Sequence, residues 1–377
     1  MTEVVVLQRF IPPYRVAVFE EIANIADFNV TYVIGENIEG VKAGNAENLF
    51  TLNVIKLKSK GLNIFGRTLV WHFGLLKTLL KLKPKVIVCE AESHFLGYLT
   101  AMTYKMLLLG RPRLLLWCFY ILPGRENERG PIEITVRKIV RSFFCSFISY
   151  AEIGKTYLIK QGIDPSSIHV AHNVCDTKKF LDKSDSLKLT KRDAKFKLHL
   201  EDRFVVSFIG TLDSVKRPDL ITELARTIRN DNIHFLIIGE GPLRKQLEYE
   251  VQMSDLNNVT ITGRVSEDIS LYYRATDFTI LPGRGGIVIS ESMCFSTPVI
   301  AYQADGTERD LVLNNDTGVI LPSGHVDDFS ECIKELAGDL GRCERMGINA
   351  KQLILSKMNT NNMASTVVQA VSPYTKD

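Results

Sequence analysis

The stretch Ile280-Leu281-Pro282-Gly283-Arg284-Gly285-Gly286-Ile287-Val288-Ile289-Ser290-Glu291-Ser292-Met293-Cys294, continued by Phe295-Ser296-Thr297-Pro298-Val299-Ile300-Ala301, decides the fold. An apolar run ending at Leu281 has the length and composition of a strand, and Pro282 to Gly286 is a glycine-rich turn. A nearly apolar helix carrying one carboxylate, Glu291, follows, and Pro298 to Ala301 is a second short strand. Strand, helix and strand at this spacing make a βαβ unit, which belongs to a parallel sheet covered by helices.

The same alternation runs through the whole chain. Seven strand-like runs fall in the first half: Val4–Leu7, Phe28–Val33, Val54–Leu57, Val86–Cys89, Leu114–Leu116, Phe147–Tyr150 and Ile168–Ala171. Six fall in the second: Phe204–Ile209, His234–Ile238, Val259–Thr262, Phe278–Leu281, Pro298–Ala301 and Gly318–Leu321. That is enough for two α/β sheets, and 377 residues exceed what one core usually organises. Thr177 to Asp202 is rich in Lys and Asp and poor in strand formers. The expected division is therefore a first Rossmann-like domain over 1–180, a linker and polar helix over 181–203, and a second Rossmann-like domain over 204–348. A terminal helical stretch, 349–377, is expected to pack back on the first domain. No repeat of solenoid period is visible.

Composition excludes several classes. The hydrophobic fraction of 45% and charged fraction of 24% are those of an ordinary globular protein. A formal charge of only +3 gives no bulk electrostatic case for nucleic acid as a partner. The seven cysteines stand singly, without a CxxC pair or a zinc-type cluster, so they read as small buried residues of a reducing compartment, and no metal site is expected. The start Met1-Thr2-Glu3-Val4-Val5-Val6-Leu7 has the character of a first strand rather than a signal peptide. The most apolar stretch, Leu107 to Leu122, is broken by Gly110, Arg111, Pro112 and Arg113, short of the ~20 apolar residues a span needs. The expected location is cytoplasmic, with peripheral attachment at the inner face of the membrane as the further expectation.

The residue patterns that carry chemistry cluster in the second half. In Phe208-Ile209-Gly210-Thr211-Leu212-Asp213-Ser214-Val215-Lys216-Arg217-Pro218, a buried strand ends at glycine and Pro218 stands where a first helical residue belongs. Lys216 and Arg217 thus precede a helix N-terminus, whose orphan N–H groups already favour anions such as a diphosphate. A solvated cation pair in a loop is the plainer reading. Phe235-Leu236-Ile237-Ile238-Gly239-Glu240-Gly241-Pro242 and Ile261-Thr262-Gly263-Arg264-Val265 repeat the strand-then-glycine pattern, and ligands of open α/β sheets bind at such strand ends. Gly285 and Gly286 let backbone N–H groups up to Ile287 and Val288 approach phosphate oxygens. Glu291, a turn further on, can accept from ribose hydroxyls; the alternative, a carboxylate at a plain helix start, sits badly on a helix this apolar.

The order of these segments resembles the donor domain of retaining glycosyltransferases with the GT-B fold, the glycogen-synthase-like family-four group. Gln8-Arg9-Phe10-Ile11-Pro12-Pro13-Tyr14-Arg15, Ile153-Gly154-Lys155-Thr156-Tyr157-Leu158 and His172-Asn173-Val174-Cys175-Asp176 are similar to segments of its bacterial surface-polysaccharide members. The resemblance implies two Rossmann-like domains facing each other across a cleft. It further implies transfer of a hexose from a nucleotide sugar, UDP- or GDP-linked, to a glycan or polyprenyl-linked acceptor, as in lipopolysaccharide synthesis. The nucleotide sugar is then a co-substrate and no cofactor is required; no DxD motif is present, in keeping with metal-independent transfer. Residue by residue, Lys216 contacts the donor diphosphate, Gly286 to Val288 cradle it, Glu291 binds ribose, and Gly263, Arg264 and Val265 flank the base, with Gly210, Thr211, Arg217 and Gly285 also on the donor and Lys216 and Glu291 as the catalytic candidates of this half. Two departures stand out. Eight positions before Glu291, where the family has a second glutamate near the transferred sugar, this chain has Gly283, and the usual arginine after the first glycine is Thr211.

In the first half, His94 in Cys89-Glu90-Ala91-Glu92-Ser93-His94 is the candidate active-site histidine, against a structural role; His72 falls in an expected helix and His172 just before the linker. Glu92 and Arg15 are the candidates for the acceptor side. Val136 to Phe144 places Arg137, Lys138 and Arg141 among Ile, Val and Phe at helical spacing, which suits either a core-packed helix or one lying on an anionic membrane surface. Two other functions fit the same sheets: a non-hydrolysing sugar-nucleotide epimerase, disfavoured by Gly283, and an inactive partner subunit that binds the donor. A dehydrogenase is disfavoured because neither half has GxGxxG at its first crossover.

Overall fold

The computed structural model describes residues 1–37, 44–64, 67–90, 95–122, 130–230, 232–265, 269–302 and 305–376. The chain divides into two units, Met1–His172 with Thr360–Asp377, and Asn173–Asn359.

The first unit is built on β1 (Glu3–Leu7), β2 (Asn29–Gly35), β3 (Val54–Leu57), β4 (Ser59–Ile64), β5 (Arg67–His72), β6 (Val86–Glu90), β7 (Arg113–Cys118), β8 (Ser146–Ser149) and β9 (Ile168–Val170). Seven of these form one sheet in the order β3-β2-β1-β6-β7-β8-β9, with every neighbouring pair parallel. Val5 stands opposite Thr31 on one side and Ile87 on the other. Helices cover the sheet, so β1 and β6 are buried almost throughout and read as unbroken apolar runs. The remaining two strands, β4 and β5, pair antiparallel as a separate hairpin, with Ser59 opposite His72. This corrects the expectation for His72, which ends a strand rather than lying in a helix. It is buried between Ser59 Oγ, 2.9 Å from Nδ1, and the Gln8 carbonyl, 3.2 Å from Nε2.

The terminal helix Thr360–Val371 belongs to this first unit and packs on the helix Val16–Ile25. Met363, Ala364, Val367, Ala370 and Val371 form its buried stripe. The terminal stretch 349–377 is therefore not one helix. Leu340–Ser356 ends in the second unit, and the chain turns at Lys357–Asn359 before the last helix begins.

The second unit carries β10 (Phe204–Ile209), β11 (Ile233–Ile238), β12 (Val259–Gly263), β13 (Phe278–Leu281), β14 (Val299–Ala301) and β15 (Gly318–Ile320), all parallel, in the order β12-β11-β10-β13-β14-β15. Phe208, Phe235, Phe278 and Phe329 lie fully inside its core, each contributing roughly 1.5–3 kcal/mol by burial. The segment read as linker and polar helix forms two helices of this unit, Thr177–Ser186 and Lys191–Lys197. The second starts on a capping box between Thr190 and Asp193. It is pinned by Asp277, whose buried carboxylate accepts from Lys195 at 2.5 Å, Lys191 at 3.1 Å and the Val205 amide at 2.8 Å. Strand order reverses between β10 and β13, so their carboxyl ends open the crevice where α/β sheets hold ligands.

Candidate functional site

Two glycines shape that crevice. Gly210 directly follows β10 and Gly239 directly follows β11, both at φ +153°. A Cβ on Gly239 would stand 1.8 Å from the Gly210 carbonyl oxygen, so only glycine allows the two strand ends to approach this closely. The loop after Gly210 is then tied to its neighbour: Leu212 N donates to Glu240 O at 2.9 Å, and Leu243 N to Leu212 O at 3.0 Å.

Asp213 folds the next turn by accepting from the Val215 and Lys216 amides, both at 3.2 Å. Arg217 takes a left-handed φ of +53°. The turn sends Lys216 back across the strand ends, where Nζ lies 2.9 Å from the Cβ position of Gly210 and 2.8 Å from that of Gly285. The half-buried ammonium is thus held between the glycine after β10 and a glycine after β13. Burial lowers its pKa below the ordinary lysine value, while Asp213, Glu291 and Asp305 pull it back up.

From the other side comes the glycine loop and the helix Ile287–Cys294. Glu291 on that helix accepts from the Tyr273 hydroxyl at 2.6 Å. Burial raises its pKa, opposed by this hydrogen bond and by Lys216, Lys179 and Lys183. Tyr273 is itself fixed by stacking on Phe295, with ring centroids 5.2 Å apart. At Gly283 there is no room for a side chain: a Cβ would lie 2.4 Å from the Val215 carbonyl oxygen and 2.9 Å from Lys216 Cα. The Lys216 loop thus packs over the glycine loop too closely for any side chain at 283.

The site so assembled joins Gly210, Lys216, Gly285, Gly286 and Glu291. Thr211 lies half-buried beside them, and Ile287 and Val288 open the helix. Arg217 donates to the Gly324 carbonyl at 3.1 Å. Gly263, at φ +75°, ends β12 and accepts from Gly239 N at 2.9 Å; Arg264 is exposed, and Val265 packs on the small cluster of Leu200, Val205, Leu236 and Ile238. Two groups were missed by sequence reasoning. Tyr273 precedes β13, with no pattern to mark it. Asp305 follows β14, where its place at a strand end was the available signal. Its Oδ2 accepts from Gly286 N and its Oδ1 from Thr307 N, both at 3.0 Å.

In the first unit, Glu92 and His94 lie outside the described residues. Glu90, just before them, accepts from the Arg9 amide at 2.6 Å. Arg15, expected on the acceptor side, is 5% exposed. Its guanidinium lies 4.7 Å from the Tyr150 ring centre and 3.2 Å from Met363 Sδ, packed against the terminal helix.

Chemically, the second unit offers an ammonium and a helix N-terminus that together suit a phosphate group, and a carboxylate in a fixed orientation that suits hydroxyls. Residues 190–353 match the family described as Glycosyl transferases group 1. Alpha-D-kanosaminyltransferase of Streptomyces kanamyceticus is 31% identical over 42% of this chain and 42% of its own length. The capsular polysaccharide biosynthesis glycosyltransferase CapM of Staphylococcus aureus is 25% identical over 45% of this chain and 46% of its own length. The matched stretch thus spans less than half of either relative. Among solved structures, Anabaena HepE in complex with UDP superposes with a TM-score of 0.75 at 16% identity, covering 99% of this chain and 100% of that one. The stretch 190–353 belongs to the glycosyl transferases group 1 family, in a chain whose two Rossmann-like halves have the GT-B fold.

Proposed function

We propose that the chain is a retaining glycosyltransferase that moves a hexose from a nucleotide sugar, UDP- or GDP-linked, to a glycan or lipid-linked glycan in surface-polysaccharide synthesis. The observation that carries this reading is the position of Lys216 Nζ over Gly210 and Gly285, at the sheet edge where strand order reverses. HepE, which shares the fold, is solved with UDP, and CapM, similar to 45% of this chain, is a capsular polysaccharide biosynthesis glycosyltransferase. In this reading Lys216 and the first amides of the helix Ile287–Cys294 stabilise charge on the departing diphosphate, the largest demand of the reaction. Glu291, oriented by Tyr273, accepts from the ribose hydroxyls. No dedicated cofactor enters the reaction. The first unit receives the acceptor.

Attachment to an anionic membrane surface is part of the same proposal. Among the described residues no helix is long and apolar enough to cross a membrane. The helix Pro131–Arg141 does expose Ile134, Val136 and Ile139 beside Lys138. Arg141 does not join that face: it is buried and donates to Gln161 Oε1 at 3.2 Å.

The test is a nucleotide-sugar panel read by thermal shift, then transfer with the binding donor and assignment of product anomeric configuration. A ligand at 100 times its Kd adds about 2.7 kcal/mol to stability. Glu291→Gln is expected to weaken free nucleoside diphosphate binding while leaving the melting temperature of the unliganded chain nearly unchanged. No shift with any nucleotide or nucleotide sugar overturns the reading, and a product of inverted configuration overturns its retaining part.

A further inference from the structure

Asp305 and Thr307 are not accounted for by phosphate or ribose binding. Thr307 is fully buried, and among the described residues its hydroxyl has no hydrogen-bond partner. That hydroxyl lies 2.8 Å from the Cβ position of Gly286, and Asp305 Oδ1 lies 2.9 Å from the same point. Each Asp305 oxygen accepts one backbone N–H, from Gly286 or Thr307, and a carboxylate oxygen has capacity for a second. Lys216, across the glycine loop, feels the Asp305 charge. A carboxylate with acceptor capacity left over and a buried hydroxyl with none of its capacity used thus pack against Gly286, beside the anion-binding lysine. A second phosphate is a poor occupant, because the carboxylate repels it. A polyhydroxyl group attached to a phosphate fits, since its O–H groups donate to Asp305 and to Thr307 Oγ1 while the phosphate meets Lys216.

We infer that Asp305, with Thr307, reads hydroxyls of the transferred sugar and takes the part that a side chain at position 283 has no room to play. The inference rests on the donor reading above. It is tested by isothermal titration of UDP, GDP and ADP and of UDP-glucose, GDP-mannose and ADP-glucose against the native chain, Asp305→Asn and Thr307→Val. Asp305→Asn removes the charge and keeps one oxygen, for the Gly286 amide, while its NH2 takes the place of the oxygen that accepts from Thr307 N. It is expected to bind the free nucleoside diphosphate as tightly as the native chain or a few-fold more tightly, and the matching nucleotide sugar roughly tenfold more weakly. Thr307→Val, of nearly the same shape, is expected to weaken the nucleotide sugar alone, by a smaller factor. If both variants change the free nucleotide and its sugar conjugate equally, or change neither, Asp305 and Thr307 only cap the helix and the inference fails. If the native chain binds none of the six ligands, the donor site itself is lost and this inference with it; the native control separates the two failures.

Discussion

Replacing Lys216 with Met removes one charge and little volume, which makes it the sharpest probe of the site. Nζ sits between Gly210 and Gly285 and faces Asp213, Glu291 and Asp305. A diphosphate entering this crevice brings further negative charge against three carboxylates, and Lys216 is the side chain placed to offset it. A hydrogen bond to a charged group is worth about 1.5–3 kcal/mol, which corresponds to a loss of roughly 10- to 150-fold in affinity for nucleoside diphosphate. The effect on kcat/KM for transfer is expected to be larger, because charge grows on the leaving group as the bond breaks. Isothermal titration gives the first quantity and initial rates the second. There is also a pH signature. Burial lowers the pKa of Lys216, so the native chain should begin to lose nucleotide affinity below the ordinary lysine range as pH rises, and Lys216→Met should lack that alkaline limb. Binding by the variant within twofold of native, or an unchanged alkaline limb, refutes the placement of Lys216 on the diphosphate.

Three other outcomes follow from residues away from the crevice. Burial between β11 and β12 lowers the His234 pKa to about 4, with its Nε2 2.9 Å from Thr260 Oγ1. The unfolded value is near 6.5, so the stability this neutral imidazole contributes is complete above that pH and is lost as pH falls towards 4; the shift amounts to ~3 kcal/mol at most, and His234→Gln should flatten the urea midpoint between pH 7.5 and 5. Asp277→Ala strips the partner from buried Lys195 and from the Val205 amide, and denaturant titration should show a loss of about 3–5 kcal/mol. On vesicles containing anionic lipid, the native chain should co-sediment and be released by salt, and Lys138→Gln with Arg137→Gln should reduce binding while Ile139→Asp should abolish it; equal binding to neutral vesicles would remove the membrane proposal.

The central strands of the two large sheets were legible because parallel strands covered on both faces are apolar throughout, as Val4 to Leu7 and Phe235 to Ile238 are; edge strands such as Val54–Leu57 and Val259–Gly263 showed as shorter Val- and Ile-rich runs. The β4–β5 hairpin escaped notice for the complementary reason. Its residues include Lys60, Gly61, Asn63 and Arg67, and it stands outside the main sheet, so no continuous apolar run marks it. The break before the last helix had a local signal. Asn359 returns its side-chain amide to the Ile354 and Leu355 carbonyls at 3.1 and 3.3 Å, a helix-stop residue that periodicity alone overlooked.

Within the site, legibility followed distance along the chain. Gly210 and Lys216 share one strand-to-helix loop, as do Gly285, Gly286 and Glu291 within one loop and helix, so the spacing within each segment already constrained their geometry. Asp305 lies 19 residues from the amide it meets, and Tyr273 lies 18 residues from the carboxylate it orients. What brings Asp305 to Gly286 is the pairing of β13 with β14, and linear spacing does not encode which loop of one strand meets which loop of its neighbour. The same limit applies to Gly283. Read along the chain, a glycine there is a lost carboxylate; read in space, it is the position over which Val215 and Lys216 pass too closely for a Cβ. Bringing Lys216 over the glycines and keeping a side chain at 283 are mutually exclusive in this packing, and the carboxylate that does meet the glycine loop, Asp305, comes from the loop after the neighbouring strand.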